Sequence, residues 1–368
     1  MKKYKLAALI AAACMTVGSV VGCGSSAASA ITFRDTVIDE NEFCYMMSSY
    51  KAMYLYGYFG QTSDNPQLWS TEMAEGVTVG DYLSALAVSN IMSSAVYIEL
   101  FDDYGLTLTN DEINTADAKI DQLVSSVGSR SALNKQLANF GANIDTLRSV
   151  LVDSLKVTKL QEYLYGENGI NAATSDEIEA YYDENYMRCK FIFISSKQEY
   201  EYDENGDPIY DSSTNTYKTR ELTSEERTEK EALAADLEKR IAAGEDFEML
   251  LQEYTMDTGM LNFEDGYYFT SASTYIENDV KTAVAEMTMG ETRALETESG
   301  WYIVKRYELR DGAWADEKYA AAMFGSITST VNTIKMNELI APYAEEIIVN
   351  KEIIASYPIA YCTPNFNY

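Results

Sequence analysis

The sequence predicts an α+β protein in which a mostly helical domain is split by a small, mainly antiparallel sheet with its own helices. Three observations predict this class. Apolar residues recur at helical spacing before residue 185, a strand–helix–helix–helix–strand order follows between residues 187 and 307, and helical spacing returns from Trp314. The central segment is therefore expected to be an insert in one split helical domain.

Composition excludes several classes of function. The chain has 368 residues, 28 Lys and Arg against 58 Asp and Glu, and no histidine, which gives a net charge of −30. Without histidine there is no Ser-His-Asp triad, no Cys-His pair and no His-ligated zinc or haem. So acidic a chain also argues against nucleic-acid binding, because phosphates are bound by clustered Lys and Arg.

The N-terminus resembles a lipoprotein signal. Lys2, Lys3 and Lys5 precede an uncharged run over residues 6–22, which is too short for a confident membrane span and ends at Gly22-Cys23. We expect residues 1–22 to be removed, Cys23 to be lipidated and residues 23–32 to form a flexible tether. The alternative is an ordinary secretory signal cut near Ala28 or Ala30.

Residues 33–185 are predicted to form the N-terminal helical domain. The stretch 79–104 is rich in Ala, Leu, Ile, Met and Tyr and lacks Pro. Capping boxes at Thr109–Glu112 and Thr174–Glu177 mark the starts of two helices, and Gly141 marks a stop between two others.

Residues 186–310 are predicted to form the central α+β domain. Residues 187–195 are typical of a buried strand, and a polar, Tyr-rich insert with a turn at Asn205-Gly206 follows over 197–222. Three helices are then expected: one begins at the capping box Thr223–Glu226, one spans 247–254, and a short one lies near 279–287. The last strand is predicted over 301–307.

Residues 311–368 are predicted to return to the helical domain. Apolar residues recur every three or four positions from Tyr319 to Ile334, and the tail 345–368 alternates weakly enough to contain a short strand. We expect this segment to pack on the N-terminal helical domain.

Several short motifs occur in a characteristic order. These are Gly105-Leu106-Thr107-Leu108-Thr109-Asn110-Asp111-Glu112-Ile113, Gly141 with Leu147-Arg148, Ser175-Asp176-Glu177-Ile178 before Tyr181-Tyr182, Ala242-Ala243-Gly244-Glu245-Asp246-Phe247, Met289-Gly290-Glu291 and Gly300-Trp301-Tyr302-Ile303-Val304-Lys305. Together they resemble exported foldases of the PrsA and SurA type, which join a helical chaperone module to a parvulin (PpiC-type) prolyl isomerase domain.

The resemblance implies site residues, and some of them depart from the family's pattern. Parvulins carry one histidine on the first strand and one on the last, and the matching positions are Phe191 and Tyr302. The acidic or cysteine position of the central loop falls on Asp257, and Thr297 and Ser299 are kept before the last strand. The Gly-Gly that follows the acidic position is replaced by residues 262–265, so the register across 258–282 stays open.

Prolyl isomerisation needs neither a nucleophile nor a cofactor, because the barrier comes from amide resonance. Tyr302 and Asp257 would supply polar contacts as the catalytic candidates. By resemblance the substrate-binding candidates are Phe191, Phe269, Ile276, Val280, Met287, Thr297 and Ser299. Whether isomerase activity survives without the histidines is left open, and the apolar candidates could equally be core.

The cysteines and acidic runs predict no metal site. Cys44, Cys189 and Cys362 are scattered; one disulfide is possible, but the sequence does not select the pair. Cys189 is expected to be a buried apolar residue rather than a nucleophile. The run Asp203-Glu204-Asn205-Gly206-Asp207 lacks the spacing of a calcium loop.

The predicted function is an exported, membrane-anchored foldase that faces the extracytoplasmic side and acts on unfolded or newly secreted polypeptides. If active, it would be a parvulin-type peptidyl-prolyl cis/trans isomerase. The alternative is a non-catalytic holdase or scaffold with a degenerate parvulin domain. A third reading is an acidic surface lipoprotein that attracts divalent cations or basic partners.

Overall fold

A computed structural model describes residues 27–205, 208–214 and 216–367. The predicted signal peptide, Cys23, the first part of the tether and Gly206 of the predicted turn lie outside the described residues. The chain divides into two compact units, one formed by residues up to 172 together with those from 332 onward, and one formed by Ala173–Val331.

The N-terminal part of the first unit begins with a strand pair and continues as helices. Its strands are β1 (Ser29–Phe33), β2 (Thr36–Asp39), β3 (Glu72–Ala74) and β4 (Val77–Thr78). Its helices are α1 (Glu40–Phe59), α2 (Pro66–Trp69), α3 (Val79–Asp103), α4 (Asn110–Val127), α5 (Arg130–Leu137), a 3₁₀ turn (Ala138–Phe140) and α6 (Ile144–Tyr165).

The second unit surrounds a four-stranded antiparallel sheet. Its strands are β5 (Met187–Ser195), β6 (Gln198–Tyr200), β7 (Tyr210–Asp211), β8 (Thr216–Tyr217), β9 (Thr219–Glu221), β10 (Tyr267–Phe269), β11 (Thr292–Glu296) and β12 (Gly300–Tyr307). Its helices are α7 (Ser175–Asn185), α8 (Ser224–Ala242), α9 (Phe247–Tyr254), α10 (Thr258–Asn262), α11 (Asn278–Glu286), a 3₁₀ turn (Ala313–Ala315) and α12 (Glu317–Met323).

The C-terminal segment returns the chain to the first unit. Its elements are α13 (Ile327–Ile340), a 3₁₀ helix (Ala341–Glu346), β13 (Ile348–Val349), α14 (Lys351–Ser356) and a 3₁₀ turn (Ile359–Tyr361). Helix α13 contains the boundary between the units. Strand β13 pairs antiparallel with β1, so the short strand predicted in the tail is confirmed.

The core of the first unit is built around α3. Its residues Leu83, Ala87, Ile91 and Ala95 are fully or almost fully buried, because they recur every three or four positions and form one apolar face. Among the described residues this helix is also the one long and apolar enough to cross a membrane, and 56% of its most apolar stretch is buried. A core helix of a soluble unit meets the same criterion.

The sheet of the second unit has the strand order β10-β5-β12-β11. Strands β5 and β12 are its centre and pair along their whole length, from Gly300 opposite Ser195 to Tyr307 opposite Arg188. Helices α8, α9 and α11 contribute buried side chains to the core that contains this strand pair. The central pair therefore holds its side chains in a fixed register.

The predicted α+β class and the inserted small antiparallel sheet are confirmed. Capping boxes occur at the three predicted threonines, where each hydroxyl accepts a backbone N–H and each glutamate accepts one in return: Thr109, Thr174 and Thr223. The unit boundaries place α7 and α12 in the second unit, whereas the sequence analysis assigned residues 33–185 and 311–368 to the helical domain.

Candidate functional site

The two central strands bring the predicted aromatic pair into contact. Tyr302 on β12 lies opposite Phe193 on β5, and the two rings are 4.7 Å apart between centroids. Since side chains alternate along a strand, Phe191 lies on the same face as Phe193, and its ring meets that of Tyr302 edge-on at 5.1 Å. Phe191 is 3% exposed and Tyr302 is 8% exposed, so the pair is packed rather than open.

The hydroxyl of Tyr302 has a charged partner. It donates to Oε1 of Glu277 over 3.0 Å, and Glu277 lies in the loop just before α11. Burial raises the pKa of Tyr302 far above its ordinary value, and the nearby carboxylate adds to the effect. The hydroxyl therefore stays protonated at neutral pH, where it is no base, and it donates its proton to Glu277.

Asp257 lies beside the same strand. The chain leaving α9 runs along β5, where the N–H of Met256 donates to the carbonyl of Phe193 over 2.8 Å. Asp257 then caps α10, because its Oδ1 accepts the N–H of Met260 at 2.7 Å and the hydroxyl of Tyr267 at 2.9 Å. The carboxylate thus has a structural role as a helix cap as well as a position next to the aromatic pair.

Tyr267 connects these residues, although the sequence patterns do not predict a role for it. Its ring lies 5.7 Å from that of Phe191, while its hydroxyl reaches Asp257. Gly259 leaves room for this hydroxyl, since a Cβ at that position would overlap it. The sequence signal for it is the pair Tyr267-Tyr268 after Gly266, which belongs to a strand of only three residues.

The remaining predicted residues fall into two groups. The apolar ones are at most 4% exposed and belong to one hydrophobic core: Phe269, Ile276, Val280 and Met287. Thr297 instead shapes the turn between β11 and β12, where its Oγ1 accepts the N–H groups of Ser299 and Gly300. Their contact with a substrate stays a prediction.

An open groove of about 750 Å³ lies next to Glu277, the hydrogen-bond partner of Tyr302. It is lined by the loop before α11, by Ile276 and Glu277, and by Glu298 from the turn before β12. Lys281 also lines it, but the Nζ of Lys281 donates to the carbonyls of Ser271 and Ser273. The groove is therefore polar and acidic, and the half-buried Glu277, whose carboxylate accepts the Tyr302 hydroxyl, is part of its lining.

Cys189 is buried, as the sequence predicts. Its burial is complete and raises its pKa far above the ordinary value, so it is not a thiolate nucleophile. The disulfide left open by the sequence is not formed, because Cys44, Cys189 and Cys362 are all free thiols. Within the described ranges no cluster of three or more Cys, Asp or Glu residues is arranged to hold a metal ion.

Comparison with known proteins finds a family model that matches part of the second unit. The family model "Rotamase: PPIC-type PPIASE domain" matches residues 216–308, which include Asp257 and Tyr302 but not β5 with Phe191. The search of curated proteins finds no match. The predicted resemblance to parvulin-containing foldases is therefore confirmed at the level of this domain.

Solved structures of foldases are also similar to the chain. PrsA from Bacillus subtilis has 20% identity and a TM-score of 0.23, covering 78% of this chain and 92% of its own. Foldase protein PrsA from Streptococcus pneumoniae has 15% identity and a TM-score of 0.24, covering 81% and 95%. Foldase protein PrsA from Lactococcus lactis has 14% identity and a TM-score of 0.23, covering 90% and 98%.

Proposed function

We propose that this chain, whose residues 216–308 form a PPIC-type rotamase domain, is an exported, lipid-anchored foldase that binds unfolded polypeptides and isomerises their prolyl bonds. The observation that carries the proposal is the position of Tyr302 in that domain. Its protonated hydroxyl donates to the half-buried carboxylate of Glu277, and Glu277 lines an open groove. Export is supported by the basic and apolar residues 1–22 and by Cys23.

Prolyl isomerisation requires only a few hydrogen-bonding and apolar contacts from these residues. Rotation about an X-Pro bond has a barrier of about 18–20 kcal/mol, which falls when the amide loses conjugation. A donor such as the Tyr302 hydroxyl can bind the twisted amide better than the planar one, and such preference for the transition state is what accelerates a reaction. A ring of proline would enter from the groove beside Ile276.

A non-catalytic holdase is the second candidate, and the aromatic pair favours it. Phe191 and Tyr302 fill the place where the family would carry two histidines, and both are buried. A proline ring would have to displace packed side chains to reach between them. In this case the PPIC-type domain would be a scaffold and client binding would not depend on Tyr302.

An isomerisation assay with the full chain separates the two candidates. We expect a proline-containing peptide to isomerise faster than background, and Tyr302→Phe to lower the added rate about tenfold, since it removes one donor. Tyr307→Phe is the matched control, because Tyr307 lies on the same strand and its hydroxyl also donates to a carboxylate, that of Glu248. It should leave the rate unchanged.

Two further variants sharpen the assay. Glu277→Gln weakens the bond that occupies the Tyr302 hydroxyl, so the rate should rise several-fold if that hydroxyl acts on the substrate. Asp257→Ala should lower the rate through loss of the α10 cap. If the full chain isomerises the peptide no faster than background, the isomerase proposal is wrong. If the chain still suppresses aggregation of an unfolded client, and Tyr302→Phe does so too, the holdase is supported.

Lipid anchoring has its own test. The mass of the mature N-terminus should correspond to a diacylated Cys23, and Cys23→Ser should release the protein from membranes. A Cys23→Ser protein that stays diacylated and membrane-bound would contradict the anchor without affecting the folding proposal.

A further inference from the structure

The first unit contains a cavity of about 370 Å³ between α1, α3 and α6. Its walls are mainly aliphatic and aromatic side chains: Ile38, Tyr45, Met46, Tyr50, Met53, Ile98, Val150 and Val157. This volume lies within the range of ligand pockets and would hold one long side chain with its flanking backbone. The cavity lies outside the PPIC-type domain and the site described above.

Two carboxylates interrupt the apolar lining. Glu42 on α1 and Asp153 on α6 both face the cavity. Burial raises the pKa of each, and the charge of Asp153 raises that of Glu42 further, so the two groups lie within electrostatic range of each other. Such a pair is desolvated and self-repelling, and it gains from an incoming positive charge.

Little positive charge lies near the carboxylates of Glu42 and Asp153 to neutralise them. Asp153 pairs with Lys156 at 3.3 Å, whereas Glu42 accepts from two neutral groups, the backbone N–H of Asp39 at 3.2 Å and the side chain of Ser149. Asp39 and Asp102 are the other acids that act on the pair. Lys156 is the cation that pairs with Asp153, and against it stand Glu42, Asp153, Asp39 and Asp102, so the local balance is negative.

The cavity continues into a second groove along α1. That groove, of about 450 Å³, shares Ser49 and Met53 with the cavity and extends to Tyr56 and Phe366. Met53 is 51% exposed and Tyr56 is 68% exposed. A track with a charged pocket at one end and exposed apolar side chains at the other matches an extended, amphipathic ligand better than a compact one.

We propose that this cavity binds a lysine or arginine side chain of an extended polypeptide, whose neighbouring apolar residues lie along the α1 groove. The aliphatic stem would contact the apolar walls, and the cationic head would pair with Glu42 and Asp153. This inference rests on the proposed function, because it takes unfolded polypeptides as the ligands. It adds that the foldase selects segments in which a basic residue is flanked by apolar ones.

Peptide binding to the full chain tests the proposal. The probe is a fluorescent nine-residue peptide without proline, with one central lysine flanked on each side by two leucines; its match carries norleucine in place of the lysine. We expect the lysine peptide to bind roughly tenfold more tightly, the ratio that one charge-assisted hydrogen bond supplies. Because the peptides lack proline, prolyl-bond recognition by the PPIC-type domain does not enter.

Conservative variants locate the effect. Glu42→Gln keeps the capping-box acceptor at this helix position but removes the charge, and Asp153→Asn keeps the size of the side chain. Each should reduce the preference for lysine to about two- or threefold, and the double variant should abolish it. Asp121→Asn is the matched control, since Asp121 is an exposed acid on α4 and should leave the preference intact.

Three outcomes would overturn the inference. These are equal binding of the two peptides, a lysine preference that survives the double variant in a protein with unchanged circular dichroism, and binding of hexylamine as tight as that of the lysine peptide. The last would assign the cavity to small amines. The proposed function is tested separately, by measuring whether the full chain suppresses aggregation of an unfolded client.

Discussion

Lys51 is a fully buried cation in the first unit, and replacing it should destabilise that unit strongly. It lies on α1, and its Nζ donates to Oδ2 of Asp64 at 2.8 Å, to the carbonyl of Ala360 at 3.0 Å and to that of Cys362 at 2.8 Å. It also lies 5.0 Å from the centre of the Trp69 ring. Lys51→Met keeps most of the side-chain volume while removing all three donated bonds.

The expected loss follows from what each acceptor can do afterwards. The carbonyl of Cys362 is in a buried residue and that of Ala360 in a half-buried one, so each unmet acceptor costs about 1–2 kcal/mol. Asp64 is 33% exposed and keeps the Trp69 Nε1 donor at 2.9 Å, so rehydration limits its cost to about 1 kcal/mol. Removing the ammonium group of Lys51 also removes the cost of its desolvation, which offsets part of this sum and leaves an expected loss of about 3 kcal/mol.

Urea unfolding of the full chain measures this value. The two units can unfold separately, so two transitions are fitted, and only that of the first unit should shift. Lys119→Met is the control, because Lys119 is exposed on α4 and its loss should change the free energy of unfolding by less than about 0.5 kcal/mol. A loss below about 1 kcal/mol for Lys51→Met would refute the reasoning.

Three other predictions concern acid stability, thiol reactivity and the candidate site. The hydrogen bond from Lys159 lowers the pKa of Glu112 from 4.5 to about 2, so the stabilisation by the ionised Glu112 is complete above pH 4.5 and is lost as the pH falls towards 2. The difference in melting temperature between wild type and Glu112→Gln should therefore close over that range. A difference that does not change with pH would contradict this prediction. Burial raises the pKa of Cys44 to about 11, so at pH 8 about one Cys44 thiol in a thousand is ionised. Mass spectrometry should therefore show that iodoacetamide labels Cys44 at least 100-fold more slowly in the native protein than in urea. Gly259→Ala should push the hydroxyl of Tyr267 away and cost about 1–3 kcal/mol in the second unit's urea transition, whereas no shift would mean that the loop adapts freely.

Local signals explain why so much of the fold could be predicted. The three Thr-x-x-Glu boxes define helix starts through bonds within four residues, so no tertiary information is needed to recognise them. Strands β5 and β12 are long and apolar, and both were predicted to within one residue. By contrast β10 has three residues and β11 is a short mixture of polar, charged and apolar residues without alternation, and each becomes a strand only because a neighbour supplies its hydrogen bonds.

The candidate site was predictable only where a strand register fixes it. Phe191 and Tyr302 could be placed together because the resemblance matches them to the two histidine positions on the first and last strands, and the antiparallel register brings them into contact. The partners of their polar groups could not be predicted, because Glu277 and Tyr267 come from other segments and nothing in their own neighbourhoods marks them. Lys51 was missed for a related reason: by residue type a lysine is expected at the surface.

The two proposals place different demands on the chain, and the burial pattern shows why they can be separated. Substrate contact with Phe191 and Tyr302 requires opening a packed aromatic pair, so any binding free energy gained there is reduced by the contacts that are lost. The cavity beside Glu42 requires no such opening, because its volume and its unbalanced charge are already present. Polypeptide affinity should therefore depend mainly on the first unit and prolyl isomerisation on the second. We expect variants in the first unit to lower polypeptide affinity without changing isomerisation, and variants in the second unit to do the reverse, because the residues involved belong to separate cores.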